Sequence, residues 1–141
     1  MSARILIIDD NSANLYLMAY LLREAGHEVL VAGNGQDGLE VARAQPPDLI
    51  ICDAQMPVMD GYEFARHARR DPMLAGLPLV SVTAYAMAGD REKSLAAGFD
   101  AYLSKPIVPE DFARHIGMIL RDASLKDPSN RRPDHGNDTG R

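Results

Sequence analysis

The stretch that decides the fold is Leu49-Ile-Ile-Cys-Asp-Ala-Gln-Met-Pro-Val-Met-Asp-Gly61. Its first four residues are apolar without alternation, which is typical of a strand covered on both faces in a parallel sheet. Asp53 stands where this strand should end, at the edge of the sheet where open α/β folds bind their ligands. Pro57 and Gly61 then predict a shaped exit loop, because proline restricts φ and glycine permits turns. Asp53 is therefore the first candidate functional residue.

The pattern of an apolar strand followed by a helix repeats five times along the chain. The predicted strands span 4–8, 28–32, 49–52, 79–83 and 101–104, and the predicted helices span 12–25, 35–44, 62–70, 88–97 and 109–121. In the first helix, apolar residues recur at the i, i+3, i+4, i+7 spacing of an amphipathic face. Strands that alternate with helices imply right-handed βαβ units, and hence a parallel sheet with helices on both faces.

Length and composition indicate one globular domain. The chain has 141 residues and is 46% hydrophobic, which suits a single core. We expect a domain over residues 1–121 and a disordered tail over 122–141, where apolar residues become rare. The net charge of −5 argues against a nucleic-acid or anionic-membrane surface. Because no transmembrane stretch or signal peptide is evident and the single Cys52 excludes an internal disulfide, we expect a cytoplasmic protein.

Polar residues follow four of the predicted strands at the point where each strand ends. Asp9 and Asp10 follow the first strand, Asp53 the third and Lys105 the fifth, while Thr83 ends the fourth. In a parallel sheet these ends meet at one edge, where three carboxylates would repel each other unless a cation lay among them. An all-oxygen ligand set favours Mg²⁺. A cation, a lysine and a hydroxyl together suit a phosphoryl group, and a carboxylate can accept one as an acyl phosphate.

The chain from residue 3 to 121 resembles the receiver domain of two-component response regulators, the CheY-like family. Three motifs carry the resemblance: Asp53-Ala-Gln-Met-Pro-Val-Met-Asp-Gly, Val82-Thr83-Ala84 and Ser104-Lys105-Pro106. The resemblance implies a doubly wound (βα)5 fold of the flavodoxin-like type, a three-layer sandwich. Its five parallel strands would have the order 2-1-3-4-5.

The resemblance also implies the roles of the residues at the sheet edge. Asp53 would be the phosphoacceptor, rather than Asp60 in the exit turn, and Lys105 would pair with a phosphoryl oxygen. Mg²⁺ would be bound by Asp10, by Asp53 and by the backbone carbonyl of Gln55. Asp9 would hold the ion through water.

Three further residues would form the switch of such a receiver. Thr83 would grip the phosphoryl oxygens on activation, the Ala84 amide would help, and Tyr102 would turn inward with Thr83. The Lys105–Pro106 peptide bond matches one that is usually cis in the family. Tyr85 lies two residues after the switch threonine, and we expect its bulk to shield the phosphoryl group from water and slow autodephosphorylation.

The function implied is that of a stand-alone, phosphorylation-switched signalling protein, not an enzyme acting on an outside substrate. A histidine kinase or a histidine phosphotransfer protein would supply the phosphoryl group. The signal would leave through contact with a target protein or with a second copy, as in a homodimer. The alternative within this class is a phosphate sink that drains a kinase and has no target of its own.

Other classes fit the sequence less well. The segment Gly33-Asn-Gly-Gln-Asp-Gly38 matches the G-x-G-x-x-G fingerprint of dinucleotide-binding oxidoreductases, but it follows the second strand instead of the first, and the chain has no room for a substrate domain. We interpret it as a turn with Asn34 as a helix cap. A phosphatase with an aspartate nucleophile would need an acid two residues later, where Gln55 stands. Asp10 alone could simply cap the first helix, and Thr83 alone could satisfy a strand end, but these roles do not explain the whole set of residues.

Overall fold

The computed structural model describes residues 2–56, 58–84 and 88–126. The predictions made for Pro57, for Tyr85 and for the segment 127–141 fall outside these ranges. Within them, no helix combines the length and the apolar composition that a membrane span requires.

The centre of the fold is a parallel sheet. Its strands are Arg4–Ile8 (β1), Glu28–Ala32 (β2), Leu49–Asp53 (β3), Leu79–Thr83 (β4) and Ala101–Ser104 (β5). All neighbouring strands pair in parallel, in the order β2-β1-β3-β4-β5. This order confirms the predicted doubly wound fold. The one change is that β3 includes Asp53, because this residue still pairs with Val82 of β4.

Five helices connect the strands. They are Ser12–Glu24 (α1), Gly35–Ala44 (α2), Gly61–Arg70 (α3), Ala88–Ala97 (α4) and Pro109–Lys126 (α5). The predicted end of the last helix at Arg121 is too early, since α5 continues through the first five residues of the predicted tail. Residues 122–126 contain neither glycine nor proline, and the first helix breaker is Pro128. The division into a domain and a disordered tail stays a prediction.

The sheet is covered on both faces, as the unbroken apolar strands predict. Ile5 and Ile7 of β1 point into a core that contains the buried faces of α1 and α5. Leu6 and Ile8, which alternate with them, point into a second core built with α2 and α3. Every residue of β3 is buried, including Cys52. These two cores hold the ends of the central strands in place.

Side-chain caps begin three of the helices. Asn11, Asn34 and Asp60 each accept a hydrogen bond from the backbone N–H three residues later. The cap at Asn34 confirms the interpretation of the glycine-rich segment as a turn and a helix start. Gly38 in the same segment packs so closely against the Ile8 side chain that a Cβ would collide with it.

The charge pattern of α3 predicts that Arg66, Arg69 and Arg70 form a solvated face, and this prediction is wrong for Arg69, which is half-buried. Its guanidinium donates to the carbonyls of Gly98, Ala75 and Leu77 and to the carboxylate of Asp100, at 2.8–2.9 Å. The reason is that the connection after α3 and the connection before β5 both bring backbone carbonyls to this one side chain. Arg69 thereby ties α3 to the connections that precede β4 and β5.

Candidate functional site

The predicted strand ends meet at the carboxyl edge of the sheet. Asp9 follows β1, Asp53 ends the neighbouring β3, and Thr83 ends β4. Lys105 follows β5, and its backbone N–H donates to the carbonyl of Thr83. The Lys105–Pro106 peptide bond is cis. The topology therefore brings together residues that are up to 96 positions apart in the chain.

Three carboxylates form a cluster at this edge. Asp9, Asp10 and Asp53 each place one carboxylate oxygen within 4.8 Å of the others. Asp9 and Asp53 are buried, while Asp10 is exposed. Lys105 is the cation of the cluster, with its Nζ 3.1 Å from Asp53 Oδ2 and 3.6 Å from Asp9 Oδ2. One ammonium group thus pairs with two of the three carboxylates.

Burial makes the charge on Asp9 costly. The pKa of the Asp9 carboxyl is raised from 3.8 to about 6. Burial is the main cause and the negative charge of Asp53 adds to it, while the N–H of Asn11 and the charge of Lys105 act in the opposite direction. The Oδ1 atom accepts from the Asn11 N–H at 2.8 Å. The Oδ2 atom is buried and has no hydrogen-bond donor among the residues that the structure describes. A buried, unsatisfied carboxylate oxygen beside two other carboxylates fits the requirements of a hard divalent cation.

The loop after β3 is held close to Asp53. The Gln55 N–H donates to Asp53 Oδ1 at 3.1 Å, which orients the carboxylate. Gly61 approaches the strand end so closely that a Cβ there would collide with the Asp53 carbonyl and come within 2.8 Å of the Ala54 Cα. Only glycine fits this position without moving the backbone. The metal-binding role of the Gln55 carbonyl stays a prediction.

Thr83 has a partner that the sequence does not reveal. Its hydroxyl is fully buried and donates to the side-chain Oε1 of Gln55 at 3.0 Å. Spacing and residue type do not predict a contact of this kind, because it depends on how the loop after β3 folds over β4. The sequence could have indicated this contact only through the prediction that β3 and β4 are neighbours in the sheet.

The other predicted switch residues are near Thr83 in the sheet. Ala84 is the next residue and is exposed. Tyr102 is half-buried in β5, where it pairs in register with Ser81. The structure thus places Ala84 directly after β4 and Tyr102 two residues before the end of the neighbouring β5, and their part in switching stays a prediction.

A group of residues on α3 and α4 adjoins the site and escaped the sequence analysis. Tyr62, in the first turn of α3, is buried, and the Lys93 ammonium of α4 lies 4.5 Å from the centre of its ring. Ser94 of α4 is buried opposite Ser81 of β4, with 3.5 Å between the hydroxyl oxygens. The pattern of hydrophobic and polar residues does not predict these pairs, because each of the four residues is ordinary for the helix or strand in which it lies.

Known proteins share this arrangement. Residues 5–117 match the family model described as the response regulator receiver domain. The chain is 37% identical to the polar-differentiation response regulator DivK of Brucella anthropi over 123 residues, which cover 87% of this chain and 100% of the relative.

Solved structures with the same architecture are also similar. One is a CheY-like response regulator receiver domain protein from Methanospirillum hungatei, with a TM-score of 0.81 and 32% identity over 89% of this chain and 99% of that one. Another is the receiver domain of a sensor histidine kinase from Pseudomonas aeruginosa, with a TM-score of 0.78 and 31% identity over 86% of this chain and 99% of that one. The latter holds a magnesium ion coordinated in its active site cleft.

Proposed function

Since this chain belongs to the response regulator receiver domain family of two-component signalling, we propose that Asp53 is its phosphoacceptor. The phosphoryl group would come from a phosphohistidine of a histidine kinase or of a phosphotransfer protein. The observation that carries the proposal is the ion pair of 3.1 Å between Lys105 Nζ and Asp53 Oδ2 inside a cluster of carboxylates. This pairing places a positive charge beside a buried carboxylate that can act as a nucleophile.

The transfer needs little from the protein beyond positioning and charge. An oxygen of the Asp53 carboxylate forms a bond to phosphorus while the bond from phosphorus to the donor's histidine nitrogen breaks. The electron pair of the broken bond stays on the imidazole. Lys105 neutralises an oxygen of the phosphoryl group, and the Thr83 hydroxyl binds another after it leaves Gln55.

Mg²⁺ is the cation that this acidic cluster suits. Asp10, Asp53 and the backbone carbonyl of Gln55 would bind it, and Asp9 would hold it through water. Bound there, the ion would offset the charge of the carboxylates and of the incoming phosphoryl oxygens. The buried Oδ2 of Asp9, which lacks a donor among the described residues, supports a cation at this place.

The phosphorylated protein would signal by contact with another protein. Thr83, the Ala84 amide and Tyr102 would bias a two-state element that extends to the surface formed by α4, β5 and α5. The recipient would be a target protein or a second copy of the chain. The acidic net charge of −5 does not favour nucleic acid or an anionic membrane as the partner.

Labelling with a small phosphodonor tests the proposal. Wild-type protein incubated with acetyl phosphate should gain one phosphoryl group, detected as intact mass, and only when Mg²⁺ is present. Asp53→Asn should remain unlabelled. Asp60→Asn is the matched control, because asparagine can still cap α3 and this residue is not the proposed acceptor. Labelling that persists in Asp53→Asn would overturn the assignment.

A further inference from the structure

A buried polar group beside the phosphorylation site has no part in the chemistry described above. The Tyr62 hydroxyl is buried and has no hydrogen-bond partner within the described part of the chain. Buried hydroxyl groups in folded proteins are nearly always paired, since an unpaired one loses its water without compensation. An orphaned hydroxyl at this position therefore requires an explanation.

The side chains around Tyr62 show where its hydroxyl could find a partner. Burial raises the pKa of Tyr62, as does the charge of Asp90, whereas the nearby polar side chains of Ser94 and Gln55 lower it without reaching hydrogen-bond geometry with the hydroxyl. Gln55 and Tyr62 also line the same shallow surface pocket, together with Lys93. Gln55 thus lies near the tyrosine and also bonds to Asp53 and Thr83 of the phosphorylation site.

The acceptor atom of Gln55 is already in use. Its Oε1 receives the Thr83 hydroxyl at 3.0 Å. If Thr83 turns to a phosphoryl oxygen, this half-buried carbonyl loses that donor, while the Tyr62 hydroxyl beside it still lacks an acceptor. One unpaired donor and one newly unpaired acceptor would then be neighbours.

We propose that Tyr62 replaces Thr83 as the hydrogen-bond donor to Gln55 when Asp53 is phosphorylated. The proposal rests on the proposed function, because the phosphoryl group is what draws Thr83 away. Tyr62 is then a positioning residue that acts through Gln55, and it lowers the cost of releasing Thr83. In the unphosphorylated protein the Thr83 hydroxyl is held by its hydrogen bond to Gln55. Tyr62 allows Thr83 to leave, because it can take over this bond.

The exchange also gives phosphorylation a route to the α3–α4 side of the domain. The Tyr62 ring lies under the Lys93 ammonium at 4.5 Å, and Ser94 next to Lys93 contacts Ser81 of β4 at 3.5 Å. A shift of the tyrosine toward Gln55 would change its contact with Lys93, the residue that precedes Ser94 in α4. We expect phosphorylation to affect the face of α4 that is turned toward α3, in addition to any effect that reaches α4 by way of β5.

Binding of beryllofluoride with Mg²⁺ tests the exchange, because this anion mimics a phosphoryl group on a carboxylate. Tyr62→Phe should bind beryllofluoride roughly fivefold more weakly than wild type, the effect of one lost hydrogen bond. Its stability to urea without the anion should be unchanged or higher, since phenylalanine removes an unpaired hydroxyl. A purely structural role would lower that stability and leave the affinity unchanged. Tyr20→Phe on the exposed side of α1 is the matched control and should match wild type.

A double-mutant cycle shows whether Tyr62 acts through Gln55. In a Gln55→Ala background, adding Tyr62→Phe should have no further effect on beryllofluoride affinity. A fivefold effect that persists in this background would overturn the proposal, and so would equal affinities of wild type and Tyr62→Phe. Failure of the proposed function looks different: wild type would then not bind beryllofluoride, or Asp53→Asn would bind it equally well.

Discussion

The Nζ atom of Lys105 lies 3.1 Å from Oδ2 of Asp53, in an ion pair that reaches from the end of β5 across β4 to the end of β3. The same ammonium is 3.6 Å from the buried Asp9. In the absence of metal it is therefore the main counter-charge for two buried carboxylates. We therefore expect the stability of the carboxyl edge of the sheet to depend on the Lys105 side chain.

Lys105→Met should lower the free energy of unfolding by about 1–3 kcal/mol in EDTA at pH 7, because two buried carboxylates lose their cation. Adding Mg²⁺ should restore much of this loss, since the ion supplies the missing positive charge. Urea unfolding with and without Mg²⁺ measures both effects. Lys93→Met, which removes an ammonium from α4, is the control. Mg²⁺ should not restore any stability that this variant loses. Equal responses of the two variants to Mg²⁺ would contradict the role given to Lys105.

Asp9 should make the metal-free protein less stable as the pH rises. Its pKa is about 6 in the folded protein against 3.8 for an ordinary aspartate, so the folded state binds more protons between these values. Stability should therefore decrease from about pH 4 to about pH 7 and stay at the lower level above, with a total effect of roughly 3 kcal/mol. Above about pH 7, Asp9 is ionised in both states and its cost in the folded state is complete.

Asp9→Asn isolates this effect, because asparagine does not ionise. In EDTA, the stability of this variant relative to wild type should increase between pH 4 and pH 7.5, as measured by urea unfolding across that range. In Mg²⁺ the increase should shrink, since the cation favours the ionised carboxylate. A difference that does not change with pH would show that the pKa of Asp9 is not raised.

The strand ends could be predicted from the sequence, and their side-chain contacts could not. The sequence predicts that Asp53 and Thr83 lie together because Asp53 follows an apolar strand, Thr83 ends another, and parallel strands end at one edge. The bond from Thr83 to Gln55 depends instead on the path of a loop, which local patterns do not encode. The same reason explains Arg69, whose partners come from two other connections of the chain. Local periodicity thus predicts the elements, whereas contacts between loops require the assembled fold.

Arg69→Lys tests whether one guanidinium ties three parts of the chain together. Lysine keeps the charge but has no planar fork, so it cannot donate to Gly98, Leu77 and Asp100 at once. We expect a loss of about 2 kcal/mol in the free energy of unfolding. Arg70→Lys, on the exposed side of the same helix, should change it by less than about 0.5 kcal/mol. Similar values for the two variants would mean that the bonds of Arg69 contribute little.

Gly61→Ala should damage both the fold and the site. The added Cβ would collide with the Asp53 carbonyl and would lie within 2.8 Å of the Ala54 Cα, and these are backbone atoms that cannot rotate away. To admit it, the start of α3 must move away from β3, which we expect to cost about 2–4 kcal/mol. Because the shift begins at Asp53 itself, labelling by acetyl phosphate should also fall, even under conditions where the variant is fully folded.

A glycine-to-alanine substitution in α5 should instead stabilise the protein. Gly117 lies in that helix, and a Cβ added there would meet no atom of the described residues within 4 Å beyond its own stretch of helix, so Gly117→Ala adds helix propensity without a collision. It should raise the free energy of unfolding by about 0.5–1 kcal/mol and leave labelling of Asp53 unchanged. Since the chemical change is identical at both sites, the difference between them measures the close approach of Gly61 to the strand end. If both variants labelled normally, the geometry of Asp53 would not depend on that approach.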